Sequence, residues 1–192
     1  DGVYVENSTV ISVTVSKIAT EIIIANATVD MEVNDEVAAG AALTPAGVGN
    51  VTYTVSNSSV VEVKDGKITA LAAGSAVITV SFAGDDKYAA AENKTIVVNV
   101  SLKDANVSVN NETVDLKVDE EFDPVVSLVP SDAGKLSFKS SDSDVVLVNG
   151  HGFIKGVGEG KAVVTVSFGG NDKYAAAQSN ITVTVSKIPT EI

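Results

Sequence analysis

The sequence predicts an all-β chain of tandem sandwich domains, and three observations carry that reading. A long internal repeat runs through it. Short β-type runs alternate with turn formers. Its apolar residues are Val, Ala and Ile rather than Leu.

The repeat sets the organisation. TVDMEV (Thr28 to Val33) returns as TVDLKV (Thr113 to Val118), 85 residues on, and Leu43 and Pro45 return as Leu128 and Pro130. SNSSVVEV (Ser56 to Val63) returns as SDSDVVLV (Ser141 to Val148). VITVSFAGDDKYAAA (Val77 to Ala91) returns as VVTVSFGGNDKYAAA (Val163 to Ala177), at an offset of 86, so one residue is inserted near His151. VSKIATEI (Val15 to Ile22) reappears as VSKIPTEI (Val185 to Ile192), two periods on, and Tyr4 stands two periods before Tyr174. The expected division is residues 1–16 as the last strand of a preceding repeat or a donor strand, 17–101 as the first repeat, 102–187 as the second, and 188–192 as the start of another. The chain opens in mid-pattern, as an excerpt of a longer protein would.

Within the first repeat, IIIA, VAAGAAL, VTYTVS, VVEV, KITAL, SAVITVSF and ENKTIVVNV read as strands, mostly divided by Gly, Pro, Asn, Asp or Ser. Val77, Thr79 and Ser81 alternate with Ile78, Val80 and Phe82, the period of a half-buried strand. Seven such runs at roughly 8–12-residue spacing are the mark of a sandwich. Helical periodicity is poor; the Ala-rich stretches near Ala38 and Ala89 allow a turn of helix and no more. A unit of this size buries ~60–65% of its unfolded surface, enough for one core between two sheets. Phe82 and Phe168 are its expected large fillers, and Tyr53 and Phe138 take the aromatic slot.

The order TEIIIANATVDMEVNDEV, an L-x-P turn, VTYTVSNSSVVEV and DGKITALAAGSAVITV resembles the bacterial immunoglobulin-like domain of group 2. The family's closing motif is matched by Gly66, Ile68, Ala70, Gly74, Ala76, Ile78, Thr79 and Val80. In the second copy it is matched by Gly152, Ile154, Gly160, Ala162, Val164, Thr165 and Val166. Gly156 departs from it where Ala is usual, and Asn34 and Asp119 replace a turn glycine. The segment from Phe82 to Tyr88 resembles tandem modules of adhesin-like surface proteins of methanogenic archaea. The resemblance implies immunoglobulin-like sandwiches in a stalk or adhesive ectodomain.

Composition narrows the function classes. The chain has 192 residues, of which 45% are hydrophobic and 20% charged, no cysteine, one histidine and a net charge of −12. Lack of Cys removes disulfides, thiolate metal sites and Cys nucleophiles together. The acidic excess repels nucleic acid and anionic membranes. No apolar run approaches the ~18 residues of a membrane-spanning helix.

The sequon N-x-[ST] occurs at Asn7, Asn26, Asn50, Asn57, Asn93, Asn99, Asn106, Asn111 and Asn180, nine of thirteen asparagines. Ser and Thr are 34 of the 192 residues, so chance would give roughly two or three. The excess predicts N-glycosylation and an extracellular or cell-surface location. Enrichment of Asn, Ser and Thr at turns would make sequons by accident. Asn99 falls inside a strand run and is the poorest candidate.

No catalytic constellation and no cofactor site is expected. His151 stands alone in the turn NGHG, and GVGEGK (Gly156 to Lys161) reads as a turn between strands. Asp85, Asp86 and Asp172 are the candidates for a Ca²⁺ site, but a hairpin supplies too few of the six to eight oxygens needed. Tyr88 and Tyr174 read either as lids on the core or as a sugar-binding platform. A Lys–Asn isopeptide would need a buried Lys, Asn and carboxylate.

The expected function is a non-catalytic, cell-surface adhesin-like stalk or spacer that supports adhesion. Residues 6–16 suggest an alternative, since a lone Val/Ile strand needs an edge to pair with. It pairs with the first repeat, or it completes a neighbouring molecule in a filament or pilus by donor-strand complementation. A carbohydrate-binding accessory module is the third reading. The expected partners are neighbouring repeats of the same chain or of adjacent subunits, and cell-surface glycans or proteins of a host or microbe.

Overall fold

The structure is a computed structural model that describes residue 2 and residues 6–189. Tyr4 and the stub residues 190–192 lie outside the described residues.

Among the described residues, two units of nine strands each follow one another. The first holds β1 (Glu21–Ile24), β2 (Thr28–Glu32), β3 (Glu36–Ala38), β4 (Ala41–Thr44), β5 (Thr52–Val55), β6 (Val61–Lys64), β7 (Lys67–Ala70), β8 (Gly74–Phe82) and β9 (Ala91–Ser101). The second holds β10 (Asn106–Val109), β11 (Thr113–Lys117), β12 (Glu121–Phe122), β13 (Val126–Val129), β14 (Ser137–Ser140), β15 (Val146–Val148), β16 (Ile154–Gly156), β17 (Gly160–Phe168) and β18 (Ala177–Ser186).

In the first unit, one sheet runs β2-β9-β8-β5. Across the core from it lie β3-β7-β6 and the pair β1-β4. The second unit repeats this with β11-β18-β17-β14, β12-β16-β15 and β10-β13. All pairings are antiparallel except β2 with β9 and β11 with β18.

Alternation builds each core. In β8, Ala76, Ile78 and Val80 turn inward and are at most 2% exposed, while Ser75 and Val77 face solvent. Ile96 and Val98 join them from β9, and Val61, Ile68 and Ala70 close the core from the opposite sheet. Ile154, Val164, Val166, Ile181 and Val183 take the same places in the second unit, each at 0% exposure. Burying one such side chain contributes about 1.5–3 kcal/mol. Phe82 and Phe168 fill the cores as expected, and no polar or charged residue among those described is buried.

The structure corrects the sequence reading in several places. VAAGAAL is not one strand. It breaks at Gly40, at φ +61°, so that β3 pairs with β7 while β4 pairs with β1. A Cβ at Gly40 would sit 2.8 Å from Ala25 Cβ, so the break requires glycine. TVDME, noted only as a repeat marker, is strand β2. Neither Ala-rich stretch is helical: Ala38 ends β3, and Ala89 lies in the loop before β9. Asn34 and Asp119 do take the left-handed conformation of the glycine they replace, at φ +69° and +68°.

Between β6 and β7, Asp65 and Gly66 have φ +50° and +75°, the two-residue hairpin that matches strand twist. The inserted residue makes the equivalent β15–β16 loop longer, from Asn149 to Phe153. The middle and far end of that loop are tied to the Asn149 side chain, whose Oδ1 accepts from His151 N and Phe153 N.

Candidate functional site

Three features could bear function: the repeated hairpin, the junction between units, and the exposed asparagines.

The hairpin follows β8. Gly84 and Gly170 take φ +76° and +78°, and a Cβ at Gly84 would lie 2.6 Å from Tyr88 O. The turn is then pinned by a side chain. Asp85 Oδ1 accepts from Lys87 N at 2.8 Å and from Tyr88 N at 2.7 Å. Asn171 Oδ1 accepts from Lys173 N at 2.9 Å and Tyr174 N at 2.8 Å in the same way. These backbone donors hold the Asp85 carboxyl below the usual carboxylate range. A neutral amide serves equally at position 171, so the chemistry required here is that of a turn acceptor rather than a charge. Asp86 and Asp172 are exposed beside it. Among the described residues no three His, Asp or Glu side chains converge.

The hairpin positions a tyrosine in each unit. Tyr174 is only 8% exposed and belongs to the second core, and Tyr88 is half-buried against the first. Lys87 and Lys173 lie over these rings at 5.2 and 4.9 Å. Tyr174 is thus a lid on its core, while Tyr88 packs half-buried against the first beneath Lys87.

The junction centres on Lys103. Strand β9 ends at Ser101, and Leu102 packs on the first core. Two residues past the strand, Lys103 N donates to Lys173 O, and Lys103 O accepts from Ala175 N, both at 2.9 Å. Its side chain turns back to the first unit. Nζ lies 3.0 Å from Asp35 Oδ1 and 3.7 Å from Glu32 Oε2. Asp35 Oδ2 also accepts from Glu32 N, closing the β2–β3 turn. Lys103 was not singled out in the sequence, because Ile18 and Ile188 occupy its place in the flanking copies. The same backbone bridge ties Ile18 to Lys87 and Ala89.

Every sequon asparagine is exposed. Asn26 and Asn111 occupy equivalent loops, before β2 and before β11. Asn99 sits outward on β9, with Nδ2 donating to Asp30 Oδ1 at 2.9 Å and Oδ1 accepting from Ser75 Oγ. His151 lies exposed in its turn, and GVGEGK forms the β16–β17 turn, where Gly160 packs against Val145.

Residues 6–16 form no strand within the chain, so the pairing with the first unit is not made. Ile11, Val13 and Val15 are 82%, 79% and 89% exposed, whereas their counterparts Ile96, Val98 and Val100 are at most 6% exposed.

Residues 96–178 match the family model of the bacterial Ig-like domain (group 2). This stretch is similar to a bacterial Ig-like domain. The matched stretch is staggered by most of a strand from the second unit, beginning within β9 and ending as β18 begins. Residues 48–90 match the family model of the hyaluronate lyase N-terminal beta-sheet domain. No curated protein matches the chain significantly. Among solved structures, domains 1–6 of the surface layer protein SbsC are similar at 20% identity and a TM-score of 0.37, over 89% of this chain and 28% of that one. Drosophila N-cadherin EC1-4 is similar at 12% identity and a TM-score of 0.39, over 90% of this chain and 50% of that one. The chain thus spans half or less of these proteins, and the likeness concerns the fold alone.

Proposed function

We propose that the chain is a non-catalytic stalk or spacer of a cell-surface or extracellular protein, its Ig-like units strung in series to support adhesion. The junction is the observation that carries this reading. No free linker separates the units: Leu102 belongs to the first core, and Lys103 is already bonded into the second unit. A junction without a free linker supports units set one after the other in series. The nine exposed sequons fit an extracellular setting, where glycans keep an acidic rod soluble. Small-angle scattering on the whole chain is the test. A maximum dimension near that of two sandwiches laid end to end is expected; a compact, near-spherical particle would overturn it.

The exposed Ile11, Val13 and Val15 favour a second reading, assembly through residues 6–16. The acceptor would be a sandwich of the same type lacking its last strand, since β9 and β18 fill that place in both units of this chain. Deleting residues 6–16 should then abolish any polymer. Unchanged polymers would dismiss the idea.

A further inference from the structure

The two units differ most in chemistry on the outer face of the three-stranded sheet. In the first unit that face is charged: Glu62 on β6, Lys67 on β7, and Glu36 on β3, with Lys67 Nζ 2.6 Å from Glu36 Oε1. The register pairs place Leu147 where Glu62 stands and Phe153 where Lys67 stands. Both are open to solvent, Leu147 at 49% and Phe153 at 48%. Phe153 is the only exposed aromatic among the described residues.

The polar groups around this ring are set out by the sheet. Leu147 pairs with Lys155, which pairs with Glu121, so all three share one face. Asn149 shares it too, two residues from Leu147. The Asn149 side chain is fixed, because its Oδ1 accepts from His151 N and Phe153 N. The same amide carries two further donors on Nδ2. Lys155 Nζ holds Asp119 and Glu121 only at 3.6 and 3.9 Å. Glu121, Leu147, Asn149, Phe153 and Lys155 together line a shallow groove. No sequon lies on β12, β15 or β16, so a glycan at any of the nine asparagines would be rooted elsewhere.

We infer that this groove is a binding site for a neutral pyranose sugar, with Phe153 stacking on the sugar's C–H face and Asn149, Glu121 and Lys155 bonding its hydroxyls. Size decides between a sugar and a protein partner. A stable protein interface takes about 800 Å² from each side, and two half-exposed side chains supply only a small part of that. One aromatic face ringed by both donors and acceptors suits a monosaccharide-sized ligand. Charge agrees, since Lys155 stands between the carboxylates of Asp119 and Glu121 and leaves no cationic cluster to hold an anion. The site is independent of the stalk reading, because a rod could bind no sugar and a compact particle could bind one.

The test is a titration of the ¹⁵N-labelled full chain with methyl pyranosides of glucose, galactose, mannose and N-acetylglucosamine at millimolar concentration. At least one should shift the amides of Leu147, Asn149 and Phe153 saturably, and those of Glu62 and Lys67 should stay still. F153K installs the residue the first unit carries at this place, so it is expected to fold. It should weaken binding about tenfold or more, the loss of one aromatic contact. F153Y should retain binding. Failure of all four sugars to shift these amides, shifts centred on Tyr88 instead, or binding unchanged in F153K would each overturn the site.

Discussion

Lys103 Nζ reaches Asp35 Oδ1 of the first unit at 3.0 Å while the Lys103 backbone is bonded to Lys173 and Ala175 of the second. One residue therefore joins the units through two kinds of bond. The ion pair is still open to solvent in part and adds little to the stability of either unit. Its consequence is directional, since it restricts how the second unit can swing.

That restriction should depend on pH at its extremes. The Lys103 hydrogen bond, then the Glu32 N–H, holds the Asp35 carboxyl below its usual range, and Asp35 raises the Lys103 ammonium. A lowered carboxyl contributes above its unfolded pKa and loses that contribution as pH falls through the folded value. A raised ammonium contributes below its unfolded pKa and loses it as pH rises through the folded value. The junction should thus be constant from about pH 5 to about pH 9 and loosen outside that window. Residual dipolar couplings of the two units will report it. K103A at pH 7 should broaden the inter-unit orientation with no change in either melting transition. Couplings identical to those of the parent would show the pair to be idle.

The hairpin acceptor gives a second expectation. D85N should leave the first unit's melting midpoint unchanged, because Asn171 already performs that role in the second unit. D85A removes both turn bonds and should lower the midpoint. If Ca²⁺ raised the midpoint of the parent and D85N abolished that rise, a metal role would replace the turn role.

The two cores should fail separately. Ile154 and Ile68 are 0% exposed at equivalent places in different clusters. I154A should cost about 2–5 kcal/mol in the second unit through the cavity it leaves. Urea denaturation followed by amide signals should show the first unit's transition unmoved. A single shared shift would mean that the units unfold as one.

Glycan occupancy should follow side-chain freedom. Asn26 and Asn111, in equivalent exposed loops, are expected to be occupied in native material. Asn99 is expected to be bare, because its Nδ2 is bonded to Asp30 across the β2–β9 pair. Peptide mapping by mass spectrometry decides this, and occupancy at Asn99 with none at Asn26 would contradict it.

Much of this was legible in the linear chain. The 85-residue echo and the alternation in SAVITVSF and KAVVTVSF place inward residues on one side of a strand, because the side-chain period of a strand is two. DG in VKDGKI announces its hairpin because few residues other than glycine tolerate a positive φ. The same local rules misread VAAGAAL. Its break at Gly40 follows from the approach of Ala25, just past the end of β1, a contact that no window of neighbouring residues contains.

The sequence by itself determined the unit, its number of full copies, most of its strands and the sites of its glycine turns, all of them set by short-range sterics and burial pattern. The tertiary structure alone decided that β2 lies parallel to β9 and that Lys103 bridges the units. It also decided that Tyr174 is covered while Phe153 is open. Each of these depends on which distant segment lies alongside, and the identity of a residue does not encode the surface it will meet.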